Sequence, residues 1–185
     1  MIKSILFLLF SFLLSDKLSA QRSIRLYNKG LKFAYQGDYK RAIHFFDKAI
    51  GSDTSLYEAW YNRALCKSRG REFETAILDY SRCISINPGF SIAYNNRGSD
   101  NNDLGNFEAA LSDYTMAIRL DSTYSKAYYN RSIVWYELED VQRSLFDLTR
   151  AIELKPDYTA AIQKKEELLG ILWAMRDGKL TFTDR

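Results

Sequence analysis

Five residues recur through the chain at one fixed spacing. Ala59-Trp60-Tyr61-Asn62-Arg63 is followed 34 residues later by Ala93-Tyr94-Asn95-Asn96-Arg97, and after the same interval by Ala127-Tyr128-Tyr129-Asn130-Arg131. One period earlier stands Arg25-Leu26-Tyr27-Asn28-Lys29. One period later, at Ala161-Ile162, the match fades. A fixed period of this length marks an array of small supersecondary units, none of which can bury its apolar face alone. The array takes precedence over any local reading of helix or strand.

Each unit reads as two amphipathic helices. In repeat two, helix A is expected over about Ser55 to Lys67, with Trp60, Ala64 and Cys66 among its apolar positions, and helix B over about Glu72 to Ser85. Gly37, Gly70 and Gly105 fall in or beside the turns between the two helices, where a helix end at positive φ favours glycine. Pro88 and Pro156 follow helix B in repeats two and four, stopping one helix without breaking another.

These residues resemble the tetratricopeptide-repeat family over roughly Ser23 to Tyr158. The family pattern is W-x2-L-G-x2-Y, then A-x3-F, then P. Repeat one offers Leu26, Gly30, Phe33, Ala42 and Phe46; repeat two Trp60, Ala64, Ala76, Tyr80 and Pro88. Repeat three offers Tyr94, Gly98, Ala110 and Tyr114; repeat four Tyr128, Ser132, Trp135, Ser144, Leu148 and Pro156. The resemblance implies an all-α, right-handed solenoid of four helical hairpins, over 23–56, 57–90, 91–124 and 125–158. A capping helix is expected over 159–176, with Ile162, Leu168, Leu169 and Leu172 facing the stack and Lys164, Lys165, Glu166 and Glu167 facing water. Residues 177–185 read as a mobile polar tail.

The sequence departs from the family where its leucine would stand. A basic residue recurs there, as Lys29, Arg63, Arg97 and Arg131, and Asp79, Asp113 and Asp147 follow the three arginines at sixteen residues. Arg63–Asp79, Arg97–Asp113 and Arg131–Asp147 are therefore expected to be structural ion pairs between packed helices, within a repeat or to the next one. Repeat one has Phe45 in place of the aspartate.

Ahead of the repeats, Lys3 precedes an apolar run from Ile5 to Leu14, and Leu18-Ser19-Ala20 forms a small-residue exit. That is the pattern of a secretory signal peptide over 1–20, so a periplasmic or secreted protein is expected. The run is shorter than the roughly 20 residues of a spanning helix. The net charge of +3 is too balanced to point to nucleic acid, and membrane contact is not expected once the signal is removed.

No catalytic constellation can be assembled. His44 is the sole histidine and reads as an exposed helix B residue, so a Ser-His or Cys-His arrangement is lacking, as is metal-ligand spacing. No cofactor, metal or small-molecule substrate is expected. Cys66 and Cys83 read either as a disulfide or as small buried hydrophobes. Ser99-Asp100-Asn101-Asn102-Asp103 places poor helix formers in helix A of repeat three, which is expected to be interrupted, frayed or polar-lined there.

The family resemblance implies a concave groove lined by helices A, formed by Tyr27, Leu31, Tyr35, Tyr61, Leu65, Asn95, Ser99, Tyr129, Ile133 and Tyr136. Beside them runs a column of Asn28, Asn62, Asn96 and Asn130. A carboxamide both donates and accepts, so the column can hold the backbone of an extended peptide or bond the neighbouring repeat. The carboxylate clamp of chaperone-docking members is not matched. Its positions hold Tyr27, Leu31, Asn62, Ile92 and Asn96 in one frame, and Tyr61, Leu65, Asn96, Lys126 and Asn130 in the next. The expected function is a non-enzymatic scaffold that binds a polypeptide segment. The alternative is a structural subunit of a cell-envelope assembly, docked through its convex face or C-terminal helix.

Overall fold

A computed structural model describes the backbone of residues 2–176 and the side chains of residues 17–174 and 176. The tail expected over 177–185 lies outside the described residues. The described residues form nine helices: α1 (Ile2–Tyr35), α2 (Tyr39–Ser52), α3 (Tyr57–Arg69), α4 (Phe73–Ile86), α5 (Ser91–Asp103), α6 (Phe107–Leu120), α7 (Ser125–Glu137), α8 (Val141–Leu154) and α9 (Thr159–Arg176). Among the described residues no helix is long and apolar enough to cross a membrane. The helices group into two compact units, Met1–Gly89 and Phe90–Arg185.

In the N-terminal unit α1 packs on α2, α2 on α3, and α3 on α4. Ala42, Phe46 and Cys66 form one buried cluster, with Ala49, Ile50 and Ala59 in a second. Close approach depends on the smallest residues: a Cβ at Gly30 would lie 2.5 Å from Phe46 Cε1. In the C-terminal unit α5 to α8 repeat this arrangement, and α9 packs on α8. Ala110, Tyr114 and Val134 form one core cluster there; Tyr128, Leu148, Ala151, Ala161 and Leu168 form another.

The turns explain where the helices begin. In the turn after α2, Asp53 Oδ1 accepts from the Ser55 N–H (2.9 Å) and from Ser55 Oγ (2.6 Å). That Asx turn holds Ser55 outside the helix, so α3 starts at Tyr57, later than the sequence suggests. Asp121 forms the same turn with Thr123 one hairpin pair later. Asp38 and Asp140 cap α2 and α8 by accepting from the Arg41 and Arg143 N–H groups at 3.0 and 2.9 Å.

Three expectations need correction. The residue at positive φ in hairpin two is Arg71 (φ 61°), not Gly70 (φ −81°). Arg71 shares its repeat position with Gly37 (77°), Gly105 (76°) and Glu139 (61°), so the left-handed turn is tied to the repeat and not to glycine. The polar run in repeat three does not interrupt its helix: α5 has 13 residues, as α3 and α7 have. On α9, Leu169 and Leu172 are exposed, at 48% and 36%, while Lys164 is half-buried over the Tyr136 ring at 4.0 Å. The buried residues of α9, Ala161 and Leu168, occupy the repeat positions of Ala127 and Val134, so α9 keeps the register of a helix A.

Candidate functional site

The basic and acidic columns meet inside each of hairpins two to four. Arg63 Nε and Nη2 donate to Asp79 Oδ2 and Oδ1 at 2.8 and 2.6 Å. The same fork joins Arg97 to Asp113 at 2.9 and 2.6 Å, and Arg131 to Asp147 at 2.8 Å for both bonds. A planar guanidinium matches a carboxylate at both oxygens, which fixes the rotation of helix A against helix B. The pairs therefore lie within a hairpin. The third nitrogen reaches further back, from Arg63 Nη1 to Asp47 Oδ1 on α2 (2.6 Å) and from Arg131 Nη1 to Thr115 Oγ1 on α6 (3.1 Å). Lys67 Nζ adds a second cation to Asp79 at 2.7 Å. Burial opposes the Arg63 charge, but hydrogen bonds to Asp79 and Asp47 outweigh it and hold its pKa above the ordinary guanidinium value.

Hairpin one uses aromatic rings at this place. Phe45 stacks on Phe33 at 5.3 Å, Lys29 Nζ lies 5.8 Å from the Phe45 ring centroid, and the Arg41 guanidinium covers Phe33 at 4.5 Å.

Three of the four column asparagines, Asn62, Asn96 and Asn130, bond within the fold. Asn62 Nδ2 donates to Tyr27 Oη (3.0 Å) on α1 and to the Glu58 carbonyl (2.8 Å). Both amide protons of Asn62 are thereby engaged, so only its oxygen remains to receive a peptide. Asn130 Nδ2 donates to Asn95 Oδ1 (3.0 Å), and Asn95 Nδ2 to Asn96 Oδ1 (3.1 Å). Asn95 is fully buried and does not line a groove. Asn28 is exposed; Asn96 is half-buried.

The helix A faces of the two units differ. On α1 and α3, Tyr27, Leu31, Tyr61 and Leu65 are half-buried, and Tyr35 is 88% exposed. Tyr27 leans on Phe46 and Tyr61 on Tyr80, at 5.8 and 5.9 Å between ring centroids. Burial, with the Glu58 charge, raises the Tyr27 pKa. In the C-terminal unit Tyr129 packs on Tyr158 at 5.1 Å, and Tyr136 lies beneath Lys164. Ser99 hydrogen-bonds Tyr114, whose phenol is raised well above its usual pKa, chiefly by burial. Tyr129, Ile133 and Tyr136 are half-buried like their counterparts on α1 and α3, and the exposed member of the set is Tyr35.

Cys66 and Cys83 are both buried free thiols. Burial pushes them up to about 11 and about 12, leaving them protonated and unreactive at neutral pH. His44 is exposed and sits edge-on to Phe45 at 5.5 Å. Among the described residues no group of three or more His, Cys, Asp or Glu side chains is arranged to hold a metal.

A family profile described as tetratricopeptide repeat matches residues 27–89 and 96–159, more than half of the chain. No curated protein sequence matches it. Among solved structures, a crystal structure of MamA protein is similar with a TM-score of 0.76 and 20% identity, covering 86% of this chain and 84% of that one. MamA from Desulfovibrio magneticus RS-1, residues 41 to the end, gives 0.75 at 13% identity, covering 85% and 86%. The TPR domain of Arabidopsis OM64 gives 0.63 at 20%, covering 64% of this chain and 98% of that domain. At such identities the likeness is one of fold. Tetratricopeptide domains bind other proteins or peptides and are generally non-enzymatic scaffolds. With its 34-residue hairpins, its small residues at the helix crossings and the matching profile over both units, the chain belongs to the tetratricopeptide-repeat family.

Proposed function

We propose that this chain is an exported interaction scaffold that receives an extended polypeptide segment on the helix A face of α1 and α3. The observation that carries the reading is the half-buried row of Tyr27, Leu31, Tyr61 and Leu65, which ends on the 88% exposed Tyr35. Tyrosines offer large contact area at low entropic cost, which suits a binding face that tolerates varied side chains. The bonds of Asn62 to Tyr27 and of Asn130 to Asn95 support a role for these two asparagines in joining neighbouring helices A, with tyrosine and leucine left to make the contact. Export is supported by Lys3, the Ile5–Leu14 run and the Leu18-Ser19-Ala20 exit, and is tested by N-terminal sequencing, which should begin at Gln21.

A photocrosslinking residue placed at Tyr35 or Leu65 should trap a polypeptide in the native compartment, and one placed at Leu78 should not. Trapping from Leu78 alone would reverse the assignment. It would favour the second reading, a structural subunit docked by its helix B face or by α9. That reading is supported by Leu78 and Phe146, each 69% exposed at the same repeat position, and by Trp173 at 59%.

A further inference from the structure

The near-neutral total of the chain conceals a local imbalance. Between Asp16 and Asp38 the sequence carries Lys17, Arg22, Arg25, Lys29 and Lys32 and no acidic residue. Arg22, Arg25, Lys29 and Lys32 follow one another at steps of three and four residues, so they share one face of α1. All four are exposed, and Leu18, 68% exposed, extends the same row by a turn. The longer-range ion pairs of this unit lie elsewhere, at Asp47–Arg63, Asp79–Arg63 and Asp79–Lys67.

The repeat register gives the row its meaning. Arg25 stands where Ala59, Ala127 and Ala161 are fully buried, and Lys32 where Cys66, Val134 and Leu168 are buried. No described helix covers this row, and all four cations are exposed. An uncovered repeat face needs polar side chains to remain in water, and both signs of charge serve that need. On α9, the exposed Glu166, Glu167 and Arg176 provide such a mixture. The α1 face carries one sign only, and like charges on successive turns destabilise a helix. Solubility does not require that arrangement; an anionic surface does.

We propose that the Arg22–Lys32 row docks the N-terminal unit against an anionic lipid surface. The cations span about 15 Å of helix, long enough to meet several headgroups at once. A basic row that continues an apolar run along one unbroken helix is the pattern that anionic leaflets attract. Nucleic acid is disfavoured because no aromatic side chain is interleaved among the four cations along the row, Tyr35 lying beyond Lys32 and the apolar Leu18 ahead of Arg22. The row lies beyond Ala20, so it belongs to the chain whether or not the signal segment is removed.

The test is co-sedimentation of the full chain with vesicles of phosphatidylcholine alone or containing phosphatidylglycerol. Neutral vesicles report whatever the apolar run contributes by itself. The expected result is a preference for anionic vesicles of roughly several hundredfold, lost in about 0.5 M salt. Each cation removed should weaken anionic binding about fivefold, so Arg22→Gln/Arg25→Gln/Lys29→Gln/Lys32→Gln should abolish the preference. A control with the same loss of charge elsewhere, Lys48→Gln/Arg69→Gln/Arg119→Gln/Lys126→Gln, should retain it. Equal binding to both vesicle types overturns the proposal. So does equal loss in the two variants, or tighter binding to duplex DNA than to anionic vesicles at the same salt. Should the quadruple variant lose helical circular dichroism, Arg22→Gln/Arg25→Gln decides, with an expected loss of about 25-fold.

Discussion

Hairpins α5–α6 and α7–α8 share one backbone plan and fill it with opposite chemistry. Their first helices are 13 residues each and their second helices 14. The buried residues of α5 are Ala93, Asn95, Gly98, Asp100 and Asn101; those of α7 are Ala127, Tyr128, Ser132 and Val134. Taken alone, α5 is a poor helix sequence. It holds because its backbone makes the same turn as the other hairpins and Asn101 finds a side-chain partner: Asn101 Nδ2 donates to Asp113 Oδ2 at 3.3 Å beside the Arg97 fork. At the position of Asn101, α7 has Trp135, covered by the Arg143 guanidinium at 4.7 Å. The frame is set by small residues and the Arg–Asp fork, and what surrounds the fork is exchangeable. Tertiary packing overrides local propensity here.

The comparison can be broken most directly at the fork. Asp113→Ala leaves the Arg97 guanidinium and the Asn101 amide without their acceptor, and should cost about 3–5 kcal/mol in urea denaturation. Asp147→Ala removes the Arg131 partner alone and should cost less. A larger loss for Asp147→Ala would show that the polar surroundings of Asp113 contribute nothing.

The helix crossings sharpen it next. A Cβ on Gly98 would lie 2.9 Å from Tyr114 Cε1 and 3.2 Å from Asp113 Cβ. Gly98→Ala should therefore destabilise by about 1–3 kcal/mol, although alanine is the better helix former. Ser132 holds the equivalent place in α7, with its Oγ donating to the Tyr129 carbonyl at 2.6 Å. Ser132→Ala should stay within about 1 kcal/mol of the parent. Equal effects in thermal melts would mean that α6 can retreat as readily as α8.

The smallest effect concerns the left-handed turn, glycine in one hairpin and glutamate in the other. Gly105→Ala should cost about 1 kcal/mol, and Glu139→Gly should gain about 0.5 kcal/mol. A loss on Glu139→Gly would indicate that this side chain contributes more than its backbone strain removes.

The features legible in the sequence are those tied to the period. The hairpins follow from the spacing, and the arginine–aspartate pairs follow because both columns keep step. Features that keep the period while changing residue type were harder to read. Arg71 and Glu139 occupy a glycine position without being glycine, so a search for glycine settles on Gly70, one residue early. Leu169 and Leu172 look like the apolar face of an isolated helix, but continuing the 34-residue register keeps Leu168 and leaves those two out. The burial of Asn95 had no signal of its own, since tyrosine stands there in the other three repeats and a groove position tolerates either residue. The basic row on α1 was hidden by adding its charges to those of the whole chain.

One feature of α1 bears on the order of events in the cell. The helix runs unbroken through the expected processing point. Ser19 Oγ donates to the Ser52 carbonyl at 2.6 Å, and Ser23 is fully buried with its Oγ on the Ala20 carbonyl at 2.8 Å. Peptidases cut extended chain, and a bond inside a packed helix becomes extended only when that helix opens. On the proposed export reading, removal of the first twenty residues would have to precede the closing of hairpin one. A chain that folded first would keep its leader, and processing efficiency would report the race between folding and export.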